Sequence, residues 1–309
     1  MRKSKLKIVL ATRGSRLATT QTNWIIKKLK AAYPDVEFEM KIIKMKDDMN
    51  QEGRLDKIGD RGTFNAIIEE ELASGGIDLA VCSMKDIPFN LPKGFCLAVI
   101  GVRDDPRDAI ILMNDYHSIE ELPQGARIGI ESKCIGYQLQ TMRPDLEIVH
   151  TDGEIDTRIR ALKEENLEGI VLAVADLKRL GLEEHITYCF GVDEIIPAPG
   201  QGILVIEAKE ENPILRQMIQ AIEDPISTIQ YQAEYSFMRE INTGYQVVMG
   251  AYCSVDGMHL RMKGLLGDKE GKHLVVKEMS APVGAEEQLG IELGQELKRQ
   301  LEKISMDKE

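Results

Sequence analysis

Two short polar segments follow apolar runs and carry the residues best suited to chemistry. The first is Ser83-Met84-Lys85-Asp86, just after the buried-strand pattern of residues 77–81. A carboxylate beside an ammonium is held in its charged form by its neighbour. In a desolvated site it can stabilise a developing positive charge. The bland alternative is a helix-capping Asp next to a solvated Lys. The second segment is Arg13-Gly14-Ser15, which ends the β-branched run of residues 5–12 and opens a helical pattern of Leu17, Gln21, Trp24, Ile25, Lys28 and Leu29. A strand-to-helix turn presents backbone N–H groups, and an arginine there completes an anion site. The competing reading is that Ser15 is an ordinary N-cap.

These segments need elements to position them. Residues 37–45 alternate as a strand, and residues 66–73 read as a helix stopped by Gly75-Gly76. Between them, residues 46–62 form a long polar, glycine-containing stretch, read as a mobile segment covering an active site. A plain disordered surface loop is the alternative. Further strands are expected at 97–103 and 109–112, with the charged turn Asp104-Asp105-Pro106-Arg107-Asp108 crossing into a second domain. Within 126–195, strands at 127–130, 147–150 and 169–174 alternate with helices, including one at 157–165, which implies a parallel sheet flanked by helices. There is an internal echo: Ile77-Asp78-Leu79-Ala80-Val81 and Ile170-Val171-Leu172-Ala173-Val174 both lead into charged residues. In open α/β sheets ligands bind at such strand ends, and two such domains suggest a hinged cleft. Residues 196–206 suit a return crossover, and residues 212–234 read as one helix. After Gly250, short strands and a closing amphipathic helix at 286–303 suggest a small α+β domain.

Composition excludes several classes. The 309 residues carry 39 Lys+Arg against 51 Asp+Glu, a formal charge of −12, which disfavours non-specific nucleic-acid binding. A local basic cleft for a small anion is still compatible with that balance. No apolar run approaches a membrane span, and residues 8–11 are too short for a signal-peptide core, so a cytoplasmic protein is expected. Five scattered cysteines without a CxxC pair argue against a disulfide scaffold or zinc site. Five histidines lack HxH or HExxH spacing, so no metal is expected. Pro199-Gly200-Gln201-Gly202 precedes a strand instead of opening a helix and is not a nucleotide loop.

Five segments, in order, resemble the porphobilinogen deaminase (hydroxymethylbilane synthase) family: ATRGSRLA at 11–18, DLAVCSMKDIP within 78–88, RDDPRDA at 103–109, LAVADLKRLGL at 172–182 and PAPGQG at 197–202. The resemblance runs end to end. It implies two periplasmic-binding-protein-like α/β domains around a hinged cleft plus a small α+β C-terminal domain. The bounds drawn from sequence are 1–102 with 198–220, 103–197, and 221–309. The family removes ammonia from porphobilinogen and joins pyrroles head to tail. By resemblance, Asp86 contacts pyrrole N–H groups and steadies an azafulvene-like cation, with Lys85 beside it in the catalytic pair. Arg13, Ser15, Gln21, Lys57, Arg61, Ser83, Arg158 and Arg179 match substrate-binding positions, where guanidinium forks suit acetate and propionate groups.

The departures are equally specific. The family tethers a dipyrromethane cofactor to a Cys, and the matching position here is Tyr245, within Thr243-Gly244-Tyr245-Gln246-Val247-Val248. Positions where the family has cofactor-binding arginines are Cys134, Ile135 and Asp152. Tyr235 and Asp176 also depart from the pattern. With the tethering Cys absent, the expectation is no bound cofactor, unless Cys134, read as facing the cleft, captures an electrophile in its place; a buried, idle thiol is the alternative. The expected function is an enzyme acting through Asp86 on porphobilinogen or a related pyrrole carboxylate by deamination and C–C coupling, outside the usual cysteine-tethered route. The alternative is a non-catalytic hinged-cleft protein that binds an anionic tetrapyrrole precursor. The expected partner is a small anionic pyrrole, without nucleic acid or membrane, for a monomeric chain.

Overall fold

The computed structural model describes residues 6–43, 57–241, 248–268 and 271–306, with the side chains of 57–63 and 305 outside that description. The chain divides into two compact units, Met1–Arg103 with Ile203–Thr228, and Asp104–Gly202 with Ile229–Glu309.

The first unit is built on strands β1 (Lys7–Arg13), β2 (Glu37–Ile43), β3 (Leu79–Ser83), β4 (Phe95–Val99) and β10 (Leu204–Lys209), in the order β2-β1-β3-β10-β4. Side chains alternate across the sheet. Leu10, Leu79 and Ile206 therefore face one way, under helices α1 (Arg16–Ala32) and α6 (Pro213–Gln220), with Ile25, Leu29, Leu215 and Ile219. Ala11 and Ala80 face the other way, against Phe64, Ile68 and Leu72 of α2 (Lys57–Ser74). A strand this apolar on both faces has to be covered on both.

The second unit carries a matching sheet of β5 (Asp108–Leu112), β6 (Arg127–Ile130), β7 (Glu147–His150), β8 (Gly169–Ala173) and β9 (Tyr188–Cys189), in the order β7-β6-β8-β5-β9. Helices α3 (Lys133–Met142), α4 (Ile155–Glu164) and α5 (Val174–Leu180) connect its strands. Ile110, Ile128, Ile130, Leu139, Val171 and Phe190 form its core. A three-stranded antiparallel sheet, β11 (Val248–Asp256), β12 (His259–Gly267) and β13 (Leu274–Pro282), packs against α7 (Pro225–Ile241) and α8 (Glu286–Met306) through Phe237, Leu260, Met262, Leu289, Leu293 and Leu297. The expected class, two α/β sheets plus a small α+β element, is the observed one.

The strands expected to be parallel within 126–195, β6, β7 and β8, are parallel. Each large sheet also takes in antiparallel strands: β10 runs antiparallel to β3 and β4, and β5 runs antiparallel to β8 and β9. Strand–helix alternation makes neighbours parallel only where a helix carries the chain back to the starting edge, and β5 and β10 enter their sheets through other connections. Two expectations need correction. The helix expected over 212–234 is two helices, α6 and α7, split before Pro225. Asp224 there accepts hydrogen bonds from the Ser227 amide at 2.8 Å and the Ser227 hydroxyl at 2.7 Å, and proline fits the first helical position because its missing N–H is not needed there. Lastly, α2 begins at Lys57, so Lys57 and Arg61 lie on helical backbone and not in a loop. The remainder of the covering segment, 44–56, lies outside the described residues.

Among the described residues no helix is long and apolar enough to cross a membrane, and no group of His, Cys, Asp and Glu is disposed to hold a metal.

Candidate functional site

In the first unit, β1 and β3 run parallel, paired at Leu10↔Leu79 and Ala11↔Ala80. The strands therefore deliver Arg13 and Ser83, a few residues on, to the same edge of the sheet. Ser15 is extended, and its Oγ accepts the Ala18 amide at 3.1 Å, so it is the N-cap of α1. Arg13 is exposed, with its guanidinium over the Phe64 ring at 5.4 Å. After β3 the chain makes a 3-10 turn, Met84–Asp86. Met84 is fully buried and anchors the turn, its amide bonded to the Ile203 carbonyl at 3.0 Å, while Lys85 and Asp86 are half-buried. Gln21 of α1 reaches across to this turn: its Nε2 donates to Ser83 Oγ at 3.2 Å, with both residues buried. Arg13, Ser15, Gln21, Ser83, Lys85 and Asp86 thus occupy one end of one sheet. Cys82 is inert by comparison, because burial, with Glu207 and Asp86 nearby, pushes its thiol far above the ordinary range.

The second unit repeats the arrangement with different chemistry. Strands β6, β7 and β8 are parallel and end on Glu131, His150 and the start of α5. Arg158 of α4 is 5% exposed. Its Nη1 donates to Glu131 Oε2 at 2.9 Å and its Nη2 to the Val171 carbonyl at 3.4 Å, while its Nε is buried without a hydrogen-bond partner. Asp152 is exposed and pairs with His150 at 3.1 Å. Arg179 is turned inward: Nη2 donates to the Gly202 carbonyl at 2.7 Å, with Asp104 at 3.6 Å and Asp176 at 3.5 Å. Burial lowers its affinity for a proton, and those two acids oppose the shift. Gly202 has φ +87°, and a Cβ there would lie 2.5 Å from the Asp104 carbonyl oxygen, so only glycine fits this turn.

Cys134 does not present its thiol to an open site. It is 8% exposed, packed with Ile196, Val248 and Leu265, and its sulfur takes a hydrogen bond from Gln138 at 3.5 Å. Burial and the Asp108 charge push its pKa up to about 12. Ile135 is half-buried against the sheet core. Tyr245 lies outside the described residues. Glu131 and Glu207 were not singled out from sequence. Glu131 follows an apolar strand directly, the same signal that marked Lys85-Asp86. Glu207 sits within an apolar run, which hides it.

Comparison with known proteins gives one consistent answer. Residues 8–217 match the family model "Porphobilinogen deaminase, dipyromethane cofactor binding domain", and residues 228–299 match "Porphobilinogen deaminase, C-terminal domain". Proteins named porphobilinogen deaminase from Clostridioides difficile (strain 630) and Clostridium novyi (strain NT) are each 43% identical, over 93% and 94% of this chain and 96% and 98% of theirs. A solved structure of a probable amino-acid ABC transporter extracellular-binding protein from Bacillus subtilis overlays with a TM-score of 0.42 at 13% identity, covering 69% of this chain and 88% of that one, which is too loose to bear on function.

The expectation of no cofactor is overturned by the first of these matches, since the domain that fits is a cofactor-binding one. In the second unit the buried Arg158 is suited to such a group, since its unsatisfied Nε can donate to a carboxylate oxygen. Cys134 and Ile135 face apolar neighbours and offer no charge. With both family models matched in order and close relatives spanning nearly the whole length, the chain belongs to the porphobilinogen deaminase family.

Proposed function

We propose that this chain is an enzyme of tetrapyrrole biosynthesis, a transferase of the hydroxymethylbilane synthase type, and that its substrate is porphobilinogen or a close pyrrole carboxylate. One arrangement supports this: the Lys85-Asp86 turn at the end of β3 stands at the same sheet edge as Arg13 and the Ser15 cap at the end of β1. The proposal includes a monomeric cytoplasmic protein with the three domain bounds drawn from sequence.

In this scheme the aminomethyl C–N bond breaks and ammonia leaves with the electron pair. The positive charge left on the methylene spreads into the pyrrole ring. Asp86 accepts the pyrrole N–H and stabilises that cation, because a fixed carboxylate at the point of charge development needs no reorganisation. A ring carbon of a second pyrrole then attacks the methylene, a C–C bond forms, and that carbon releases its proton. Lys85, Arg13 and the neighbouring polar groups Ser15, Gln21 and Ser83 bind and orient the acetate and propionate arms. Lys57 and Arg61 add cations in the first unit, and Arg158 and Arg179 are the matching cations of the second. A bound dipyrromethane would supply the pyrrole terminus that is extended, and Arg158 would hold one of its carboxylates. With Tyr at 245, a thioether cannot form at that position.

The experiment is incubation of the purified chain with porphobilinogen, reading ammonia release and intact mass together. Ammonia release that falls about a hundredfold or more in Asp86→Asn, with the melting temperature retained, supports the proposal. A pyrrolic mass increase, located by peptide mapping, would identify the attachment point. No ammonia release, with porphobilinogen still raising the melting temperature, would replace the enzyme with a non-catalytic binding protein.

A further inference from the structure

Glu234 of α7 is fully buried, and its carboxylate joins two distant segments of the second unit. Oε2 accepts the Gly200 amide at 2.6 Å, and Oε1 accepts the Cys253 amide of β11 at 2.8 Å. The chain at 197–202 is therefore gripped from the side of the small antiparallel sheet, where the Ala251 amide also donates to the Pro197 carbonyl at 2.9 Å. Its far end meets different partners. The Gly202 carbonyl accepts Arg179 Nη2 at 2.7 Å and the Asp104 amide at 3.1 Å, and Gln201 Nε2 donates to the Pro106 carbonyl at 2.8 Å. Gly200 and Gly202 have φ of +77° and +87°. Glycine has little conformational preference of its own, so this turn takes its shape from what holds it. Gly200 lies two residues before Gly202, and a shift at the first carries the second with it.

We propose that Glu234 is a positioning residue for Arg179: its carboxylate fixes the Gly200-Gln201-Gly202 turn, and the Gly202 carbonyl of that turn fixes the guanidinium. The geometry calls for a carboxylate. Two N–H groups from separate segments converge on Glu234, and a carboxylate accepts on both oxygens. A side-chain amide has one accepting oxygen and turns its own N–H toward the second donor, so one grip is lost. Aspartate, one methylene shorter, cannot reach both amides. The consequence for function rests on the reading of Arg179 as a substrate-binding cation, proposed above. The relay from Glu234 to Arg179 rests on the hydrogen bonds alone. It gives the small α+β element a part in setting the cation geometry of the second unit.

The test compares the full-length protein with Glu234→Gln, Arg179→Gln and the double variant. Phenylglyoxal, an arginine reagent, is followed residue by residue by peptide mass spectrometry. Arg179, enclosed and held, should react slowly in the parent chain. In Glu234→Gln it should react about ten-fold faster, as expected for loss of one hydrogen bond to a charged group. The buried Arg158 is the control and should keep its rate. An unchanged rate at Arg179 overturns the proposal, and so does faster labelling of both arginines, which reports general loosening. With porphobilinogen, KM should rise about ten-fold in Glu234→Gln while kcat changes little. Glu234→Gln should add nothing once Arg179 is replaced, and effects that multiply in the double variant overturn the relay. Glu234→Asp takes the place of Glu234→Gln if that variant does not fold, with the same expectations. A parent chain that does not turn over porphobilinogen refutes the function proposed above, and the labelling rates then decide the relay by themselves.

Discussion

Gln21 Nε2 lies 3.2 Å from Ser83 Oγ, a bond between two buried side chains 62 residues apart in sequence. It ties the first turns of α1 to the strand end that carries Lys85 and Asp86. The Ser15 cap and the Asp86 turn are thereby held as one piece.

Replacing Gln21 by Leu leaves the Ser83 hydroxyl buried without this donor. A loss of about 1–2 kcal/mol in stability is expected, measured by urea denaturation. A double-mutant cycle with Ser83→Ala should show coupling, because the two residues share one bond. Independent, additive effects would show that the contact contributes nothing.

Glu207 makes stability depend on pH. It is 2% exposed in strand β10, which lies between β3 and β4, its Oε1 has no hydrogen-bond partner, and burial together with the nearby Glu69 raises its pKa to about 7. Between the ordinary carboxyl value and about 7, the folded protein keeps this proton while the unfolded chain gives it up. Stability attributable to Glu207 therefore falls as pH rises through that window and levels off above it. The size is on the order of 3 kcal/mol, from the shift alone. In Glu207→Gln the decline between pH 5 and 8 should be flatter, as read by urea midpoints. An identical slope in the variant would assign the pH dependence to other groups.

The Cys134 thiol, raised to about 12 and packed among Ile196, Val248 and Leu265, should resist alkylation. Iodoacetamide at pH 8 is expected to leave Cys134 unmodified in the folded protein and to label it after denaturation, as read by peptide mass spectrometry. The thiolate is the reacting form, and at that pH it is scarce and enclosed. Rapid labelling in the folded state would restore Cys134 as a candidate for capturing a pyrrolic electrophile.

Much of the first-unit site was legible before any coordinates. The β1–turn–α1 segment is written in local terms: a β-branched run, a Ser at the cap position, then apolar residues at helical spacing. The Lys85-Asp86 turn was marked in the same way, by charge arriving at the end of an apolar strand. The break before Pro225 is equally local, an Asp cap followed by a proline at the first helical position. The α2 start was harder, since Lys57, Ile58, Gly59, Asp60, Arg61 and Gly62 carry two helix-weakening glycines and no amphipathic stripe.

Sequence by itself determined the family, the α/β class and the strand ends where charge gathers, because those depend on motifs and on periodicities a few residues long. Only the tertiary structure decided how the side chains are used. Cys134 is enclosed by residues 196, 248 and 265, and Arg158 meets a Glu 27 positions earlier. Arg179 is held by Gly202 and Asp104, and the Glu207 carboxyl is pushed up by burial and by Glu69, on a helix that precedes its strand by more than a hundred residues. Burial and ion pairing are set by which distant segments arrive at one point in space, and no local pattern records that.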